Sequence, residues 1–132
     1  MKGGQSHLFP KVFDSSSAIS IEKAKRMPAL RDRKDEVIFP RRVAAELSSQ
    51  ESPLRRLIKK NPMIVTDLTR EEERYYLQLL KEPGIDAGEA AAIAVAKTRR
   101  YPLVISDAVA RRLATRVGIK CLDWLDFVNG KV

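Results

Sequence analysis

The sequence predicts an α/β fold: a three-layer α/β/α sandwich around a central, mainly parallel sheet of four to five strands. Three observations predict it. Short apolar runs recur along the chain. Each is followed by a stretch whose apolar residues fall at helical spacing. The segments between runs are long enough for the right-handed crossovers that parallel pairing requires. The 132 residues supply one respectable core and not two, so a single domain is expected over 1–132, with 1–10 as a flexible N-terminal segment.

Lys11-Val12-Phe13 reads as a buried strand, and Asp14-Ser15-Ser16-Ser17 supplies polar residues that cap the next helix. That helix is expected from Ala18 to about Arg33, with Ile19, Ile21, Ala24, Met27 and Leu30 at near-helical spacing and Pro28 as a kink or early stop. Glu36 to Phe39 is the second strand. Pro40 then begins a helix at its first position, where a missing N–H costs nothing, and Arg41 to Ser49 carries Val43, Ala44 and Leu47 on one face with Glu46 beside it.

The basic segment between Ser48 and Pro62 has a small apolar stripe of Leu54, Leu57 and Ile58 and reads as a further helix. Met63-Ile64-Val65 is the third strand. Thr69 with Glu72 three residues on makes a capping box for a helix through Leu80, closed by Pro83-Gly84. Asp86 opens an Ala-rich helix from Ala87 to about Arg99, whose small residues allow close approach to a sheet or another helix. Leu103-Val104-Ile105 is the clearest strand, Asp107 to Arg116 a helix ended by Gly118, and Ile119 to Leu122 the last strand. A short helix with Trp124, Leu125, Phe127 and Val128 packs back on the body.

Composition narrows the function. No apolar run approaches the roughly 20 residues of a membrane span, and the N-terminal residues lack the apolar core of a signal peptide, so a cytoplasmic protein without membrane contact is expected. One cysteine, Cys121, and one histidine, His7, exclude an internal disulfide and a Cys/His zinc site. Any metal is therefore held by oxygen. Lys and Arg number 25 against 17 Asp and Glu, a net charge of +8, which favours a polyanionic partner such as nucleic acid.

Asp14, Glu46, Glu89 and Asp107 each stand where an apolar run gives way to a turn or helix. A charge beside the core is costly unless compensated, and a divalent cation compensates several at once. That pattern points to metal-assisted phosphodiester hydrolysis. Each acid also has a plainer reading: Asp14 and Asp107 as helix N-caps, Glu46 as an exposed helix residue, and Asp86 with Glu89 as a capping box.

The anchors VFDSS at Val12 to Ser16, PRRVAAEL at Pro40 to Leu47, DAGEAAAIAVA at Asp86 to Ala96 and LVISDAVARRLA at Leu103 to Ala114, in this order and spacing, resemble the PIN-domain nucleases. The resemblance runs from Lys11 to Val128 and is nearest to the toxin components of toxin–antitoxin pairs and small relatives with a Gly-Glu-Ala pattern. It implies a PIN-like fold and RNA cleavage with Mg²⁺ or Mn²⁺. It also implies Asp14, Glu46, Glu89 and Asp107 as catalytic metal ligands, with Ser16 and Asp86 in support. An antitoxin partner and a homodimer follow from the same resemblance. The pairs Arg111/Arg112 and Arg41/Arg42 are candidates to grip RNA phosphates.

A catalytically silent scaffold that binds RNA or protein is the rival expectation. A helix-turn-helix reading of AVARRLA at Ala108 to Ala114 fails because Gly118 to Cys121 is strand-like where a recognition helix should stand. A phosphoacceptor receiver domain fails for want of paired acids at the first strand and a lysine after the last.

Overall fold

The computed structural model describes residues 9–130; most of the N-terminal segment expected to be flexible, including His7, lies outside them. The elements in chain order are β1 (Lys11–Phe13), α1 (Ser15–Lys23), α2 (Met27–Asp32), β2 (Val37–Pro40), α3 (Arg41–Leu47), α4 (Pro53–Lys60), β3 (Val65–Thr66) and α5 (Arg70–Leu79). They continue with α6 (Ala87–Arg99), β4 (Leu103–Val104), α7 (Ala108–Arg116), β5 (Cys121–Leu122) and α8 (Trp124–Val128). The five strands form one sheet, ordered β3-β2-β1-β4-β5, with every pair parallel. This is the expected α/β sandwich.

Successive strand residues face opposite layers. Val12, Leu103 and Ile105 pack with α5, α6 and α7, including Tyr76, Leu79, Ile93 and Leu113. Phe13, Phe39, Val104 and Leu122 pack on the other face with α1 to α4 and α8. There Phe13 meets the Phe127 ring edge-on at 4.9 Å between centroids. The central helix α6 is buried from Gly88 through Ala96, because α5 covers the side that the sheet and α3 do not.

Several boundaries differ from the sequence expectation. The single helix from Ala18 to Arg33 is two. Asp14 starts α1 three residues early by accepting the Ser17 amide, and the helix ends in a Schellman turn in which Arg26 N–H donates to Ile21 carbonyl and Lys25 N–H to Glu22 carbonyl. Lys25 sits at φ 60°, and the chain turns there into α2. Pro28 occupies the first turn of α2, where it is tolerated, so it is neither kink nor stop. Pro40 ends β2 and caps α3 rather than opening it. Glu36 and the Met63-Ile64 pair fall in 3₁₀ turns before their strands. No helix among the described residues is long and apolar enough to cross a membrane.

Two buried ion networks hold the layers. Lys11, 1% exposed, donates to Glu36 at 2.8 Å, and Arg33 bonds the same carboxylate while lying over the Phe127 ring and donating to its carbonyl. On the other face, Glu72 accepts from Arg99 Nε and Nη2 at 2.8 and 2.9 Å, from Thr98 and from the Thr69 amide. Burial alone would raise the Glu72 carboxyl, but the hydrogen bonds from Arg99, Thr98 and Thr69 outweigh it and hold it at about 2. Its stabilisation is present above the unfolded value of 4.5 and lost as pH falls toward 2. Arg99→Ala should cost about 3 kcal/mol in urea unfolding at pH 7, since it leaves a buried charge unpaired. The deficit should shrink as pH falls from 7, because without Arg99 burial raises the Glu72 carboxyl and the variant takes up a proton before the parent does.

Candidate active site

In this strand order the chain leaves β1 toward one helical layer and β4 toward the other, so the carboxyl ends of these adjacent strands frame the crevice at the topological switch point. Asp14 follows β1 directly, and Ser106 and Asp107 follow the last buried residue of the β4 segment, Ile105. Asp14 is 1% exposed. Its Oδ1 accepts the Ser17 amide at 2.9 Å, its Oδ2 faces the Ser106 amide at 3.5 Å, and the hydroxyls of Ser17 and Ser106 meet at 3.0 Å. These bonds tie the two loops together. Burial raises the Asp14 carboxyl even against the hydrogen bonds from Ser17 and Ser106.

The N-terminus of α6 faces the same crevice. Asp86 Oδ1 accepts the Glu89 amide at 2.8 Å and Glu89 Oε1 the Asp86 amide at 3.1 Å, so the capping box is formed. Asp107 caps α7 through the Ala110 amide at 2.9 Å. Glu46, exposed near the end of α3, accepts the Ser15 hydroxyl at 2.6 Å. A β-carbon on Gly88 would stand 3.1 Å from Glu46 Oε1 and 3.6 Å from Asp86 Oδ1. The bare glycine is thus what lets the carboxylate from α3 rest against the start of α6.

Glu89 reports how crowded the acids are. Burial chiefly, and then the charges of Asp86, Asp107 and Asp14, push its carboxyl up to about 7 although the Asp86 amide opposes them. The four residues proposed from the sequence, with Asp86, are therefore neighbours at one rim.

A family model described as a PIN domain matches residues 10–125, a span that contains all five acids. The chain belongs to the PIN-domain family. PIN domains are generally nucleases that use divalent metal ions. No curated protein matches the chain.

The donor set of this PIN domain suits such an ion. It is all carboxylate, hence hard oxygen, and its mutual repulsion is what a cation relieves. As the side chains stand, no three acidic, His or Cys groups among the described residues converge closely enough to hold one ion. The reason is visible in their bonds. Each acid turns an oxygen onto a helix amide or hydroxyl, while Asp107 Oδ1, Glu89 Oε2, Glu46 Oε2 and Asp86 Oδ2 accept no hydrogen bond among the described residues.

Of the two supporting residues expected, Asp86 stands at the crevice in its capping box with Glu89 and Ser16 does not reach it. Ser16 is exposed and makes no side-chain hydrogen bond among the described residues, whereas Ser15 and Ser17, on either side, hold Glu46 and Asp14. Ser17 holds Asp14 through its backbone amide, the third of the helix and one an N-cap side chain bonds, while Ser15 reaches Glu46 through its hydroxyl. Ser106 went unnoticed in the sequence; its signal was adjacency to Asp107. Arg41 is paired with Asp67, Arg42 with Glu73 while lying over the Tyr76 ring, and Arg111 with Asp123. Arg112 is exposed and has no ion pair among the described residues.

With Glu89 raised from 4.5 to about 7, stability is full below about 4.5 and is lost as pH rises through 7, since the folded state keeps a proton that the unfolded state releases. Without divalent cation, melting temperature should therefore fall between pH 5 and pH 8. Glu89→Gln, which keeps the capping box, should flatten that fall and stabilise the protein at pH 8 by about 1 kcal/mol.

Proposed function

We propose that this PIN domain is a metal-dependent endoribonuclease in which Asp14, Glu46, Glu89 and Asp107 hold Mg²⁺ or Mn²⁺. The observation that carries the reading is the gathering of acids at the switch point: Asp14, Asp86, Glu89 and Asp107 stand at helix starts there and Glu46 rests against Gly88, while burial first, and then the charges of Asp86, Asp107 and Asp14, push Glu89 up to about 7. A divalent cation held there supplies a lowered pKa for an attacking water and offsets charge on the scissile phosphate. Asp14, buried and bonded on both oxygens, sets the position of the site, and Asp107 stands in the loop that follows the neighbouring strand, as the N-cap of α7. Glu46 and Glu89 offer free outer oxygens to the crevice, and Asp86 orients Glu89. Arg112, exposed on α7 and without an ion pair among the described residues, is the basic residue we assign to an RNA phosphate.

The finer reading is a toxin of a cytoplasmic toxin–antitoxin pair, working as a homodimer. Its support is the toxin-like DAGEAAAIAVA run at Asp86 to Ala96 and the exposed Leu77, Leu80 and Val109, which offer a protein partner apolar contacts. The second reading, a catalytically silent PIN fold that binds RNA or protein, draws support from the fact that Asp14, Asp86, Glu89 and Asp107 already serve as helix caps. Cleavage assayed with and without chelator separates the two.

Asp14→Asn keeps the capping role and should leave the melting temperature of the metal-free protein within a few degrees. It should reduce RNA cleavage in Mn²⁺ by at least about a hundredfold and abolish the rise in melting temperature that Mn²⁺ produces in the unsubstituted chain. Full activity in this variant would sink the assignment. Gly88→Ala should separate stability from activity. Alanine favours helix by about 1 kcal/mol, offsetting the displaced Glu46 carboxylate, so the protein should melt no lower while cleavage falls about tenfold.

A further inference from the structure

A second feature lies away from the acids. An open groove of about 590 Å³ runs between the α1–α2 junction and α4. Its walls carry Lys25, Arg31, Lys34, Arg56 and Lys60 against a single acid, Glu22. Glu22 is occupied by the Leu54 amide and Arg56 by Glu51. The other four cations have no ion pair among the described residues. Lys34 opens the turn into β2 and Lys60 lies just before the turn into β3, so the groove belongs to the edge of the fold where strands begin, opposite the acidic rim. Near that rim, by contrast, Arg41, Arg42 and Arg111 are neutralised by Asp67, Glu73 and Asp123.

Lys25 adds an independent observation. It holds the left-handed position of the Schellman turn, where glycine would sit without strain. A lysine there puts charge into the groove at a conformational cost, and such strain is a pointer to function.

The geometry points to a polyanion-binding groove that holds the phosphodiester backbone of RNA at a distance from the acidic crevice. The inference rests on the reading of RNA as the substrate class. A folded acidic protein fits less well, because protein interfaces anchor on apolar and aromatic side chains. Of the apolar residues lining this groove, Met27 and Leu57 are buried and only the prolines Pro28 and Pro53 are exposed, and none of the exposed large apolar residues lines it. What the groove offers is charge on long, adaptable stems, which suits phosphates spaced along a flexible strand.

The test is fluorescence anisotropy with a labelled single-stranded RNA of about 20 nucleotides, a length to span several phosphates. The full-length Asp14→Asn chain is used in chelator, so that nothing is cleaved. Combined Lys25→Gln, Arg31→Gln, Lys34→Gln and Lys60→Gln should weaken binding at least about tenfold and flatten the slope of log affinity against log salt by about 2 to 3, at about 0.7 per phosphate lost. Arg70→Gln, Arg74→Gln, Lys81→Gln and Arg116→Gln together, outside the groove, should weaken it less than about threefold. Lys25→Gly alone should raise the melting temperature while still weakening RNA binding, which excludes misfolding as the cause.

Unchanged binding in the groove variant overturns the proposal, as does equal loss in both fourfold variants, displacement of RNA by polyglutamate at matched charge, or no RNA binding by the parent. Cleavage by the unsubstituted chain is read separately. Groove-dependent binding without cleavage would uphold the groove and sink the nuclease reading, and cleavage with a dispensable groove would do the reverse.

Discussion

Carboxylates held by helix N-terminal amides are the interaction on which the site depends. The all-parallel order β3-β2-β1-β4-β5 sends every chain segment out of the sheet at the same edge, so the helices that follow β1 and β4 begin there, as does α6. Each start exposes amides with no partner in the helix and the positive end of a dipole. Asp14, Asp86 and Asp107 answer that demand as caps. The fold thus gathers negative charge at the switch point for a local reason, before any ion or substrate is considered.

The remainder of the molecule shows how differently charge is treated elsewhere. Glu72 is surrounded by Arg99, Thr98 and an amide, and Glu36 by Lys11 and Arg33. Both carboxyls are lowered, and both networks join elements distant in sequence. At the rim the sign is opposite: Asp14 and Glu89 are raised, with burial the first cause in each. Hydrogen bonds to amides do not offset the loss of water and the proximity of other acids. Natural sequences violate local rules mainly where function requires it, and this is the place in the chain where like charges are left facing one another beside the core.

Much of this was legible in the residues. The alternation of apolar runs and helical stretches specified the sheet and its helices, because parallel strands buried on both faces need apolar runs and crossovers, both of which leave a pattern. The Thr69–Glu72 and Asp86–Glu89 boxes are short-range and were readable as such. The division of the helix near Lys25 was not, since a lysine in a position usually filled by glycine gives no signal. Nor was the choice of Ser15 and Ser17 over Ser16, which depends on where α1 begins and hence on which residue caps it. The pairing of Arg41, Arg42 and Arg111 with acids from other elements was hidden for the same reason: a basic doublet looks alike whether or not a distant carboxylate neutralises it.

The acids are observed as caps and proposed as ligands, which raises the question of whether capping opposes ligation. A cap is worth about 1 kcal/mol and uses one carboxylate oxygen, while an ion needs only the other. At Asp107, Asp86 and Glu89 the cap engages a single oxygen, so these groups are oriented by the helix without being used up. Asp14 is the exception, with both oxygens facing amides, though its Ser106 contact at 3.5 Å is the longest of the set and so the weakest to give up. On the proposed reading an ion taking that contact would cost little and would offset the charges of Asp86, Asp107 and Asp14 that bear on Glu89. Capping therefore does not oppose the proposed ligation: it fixes the carboxylates to helix ends and leaves outer oxygens of Asp107, Asp86 and Glu89 without a hydrogen bond among the described residues.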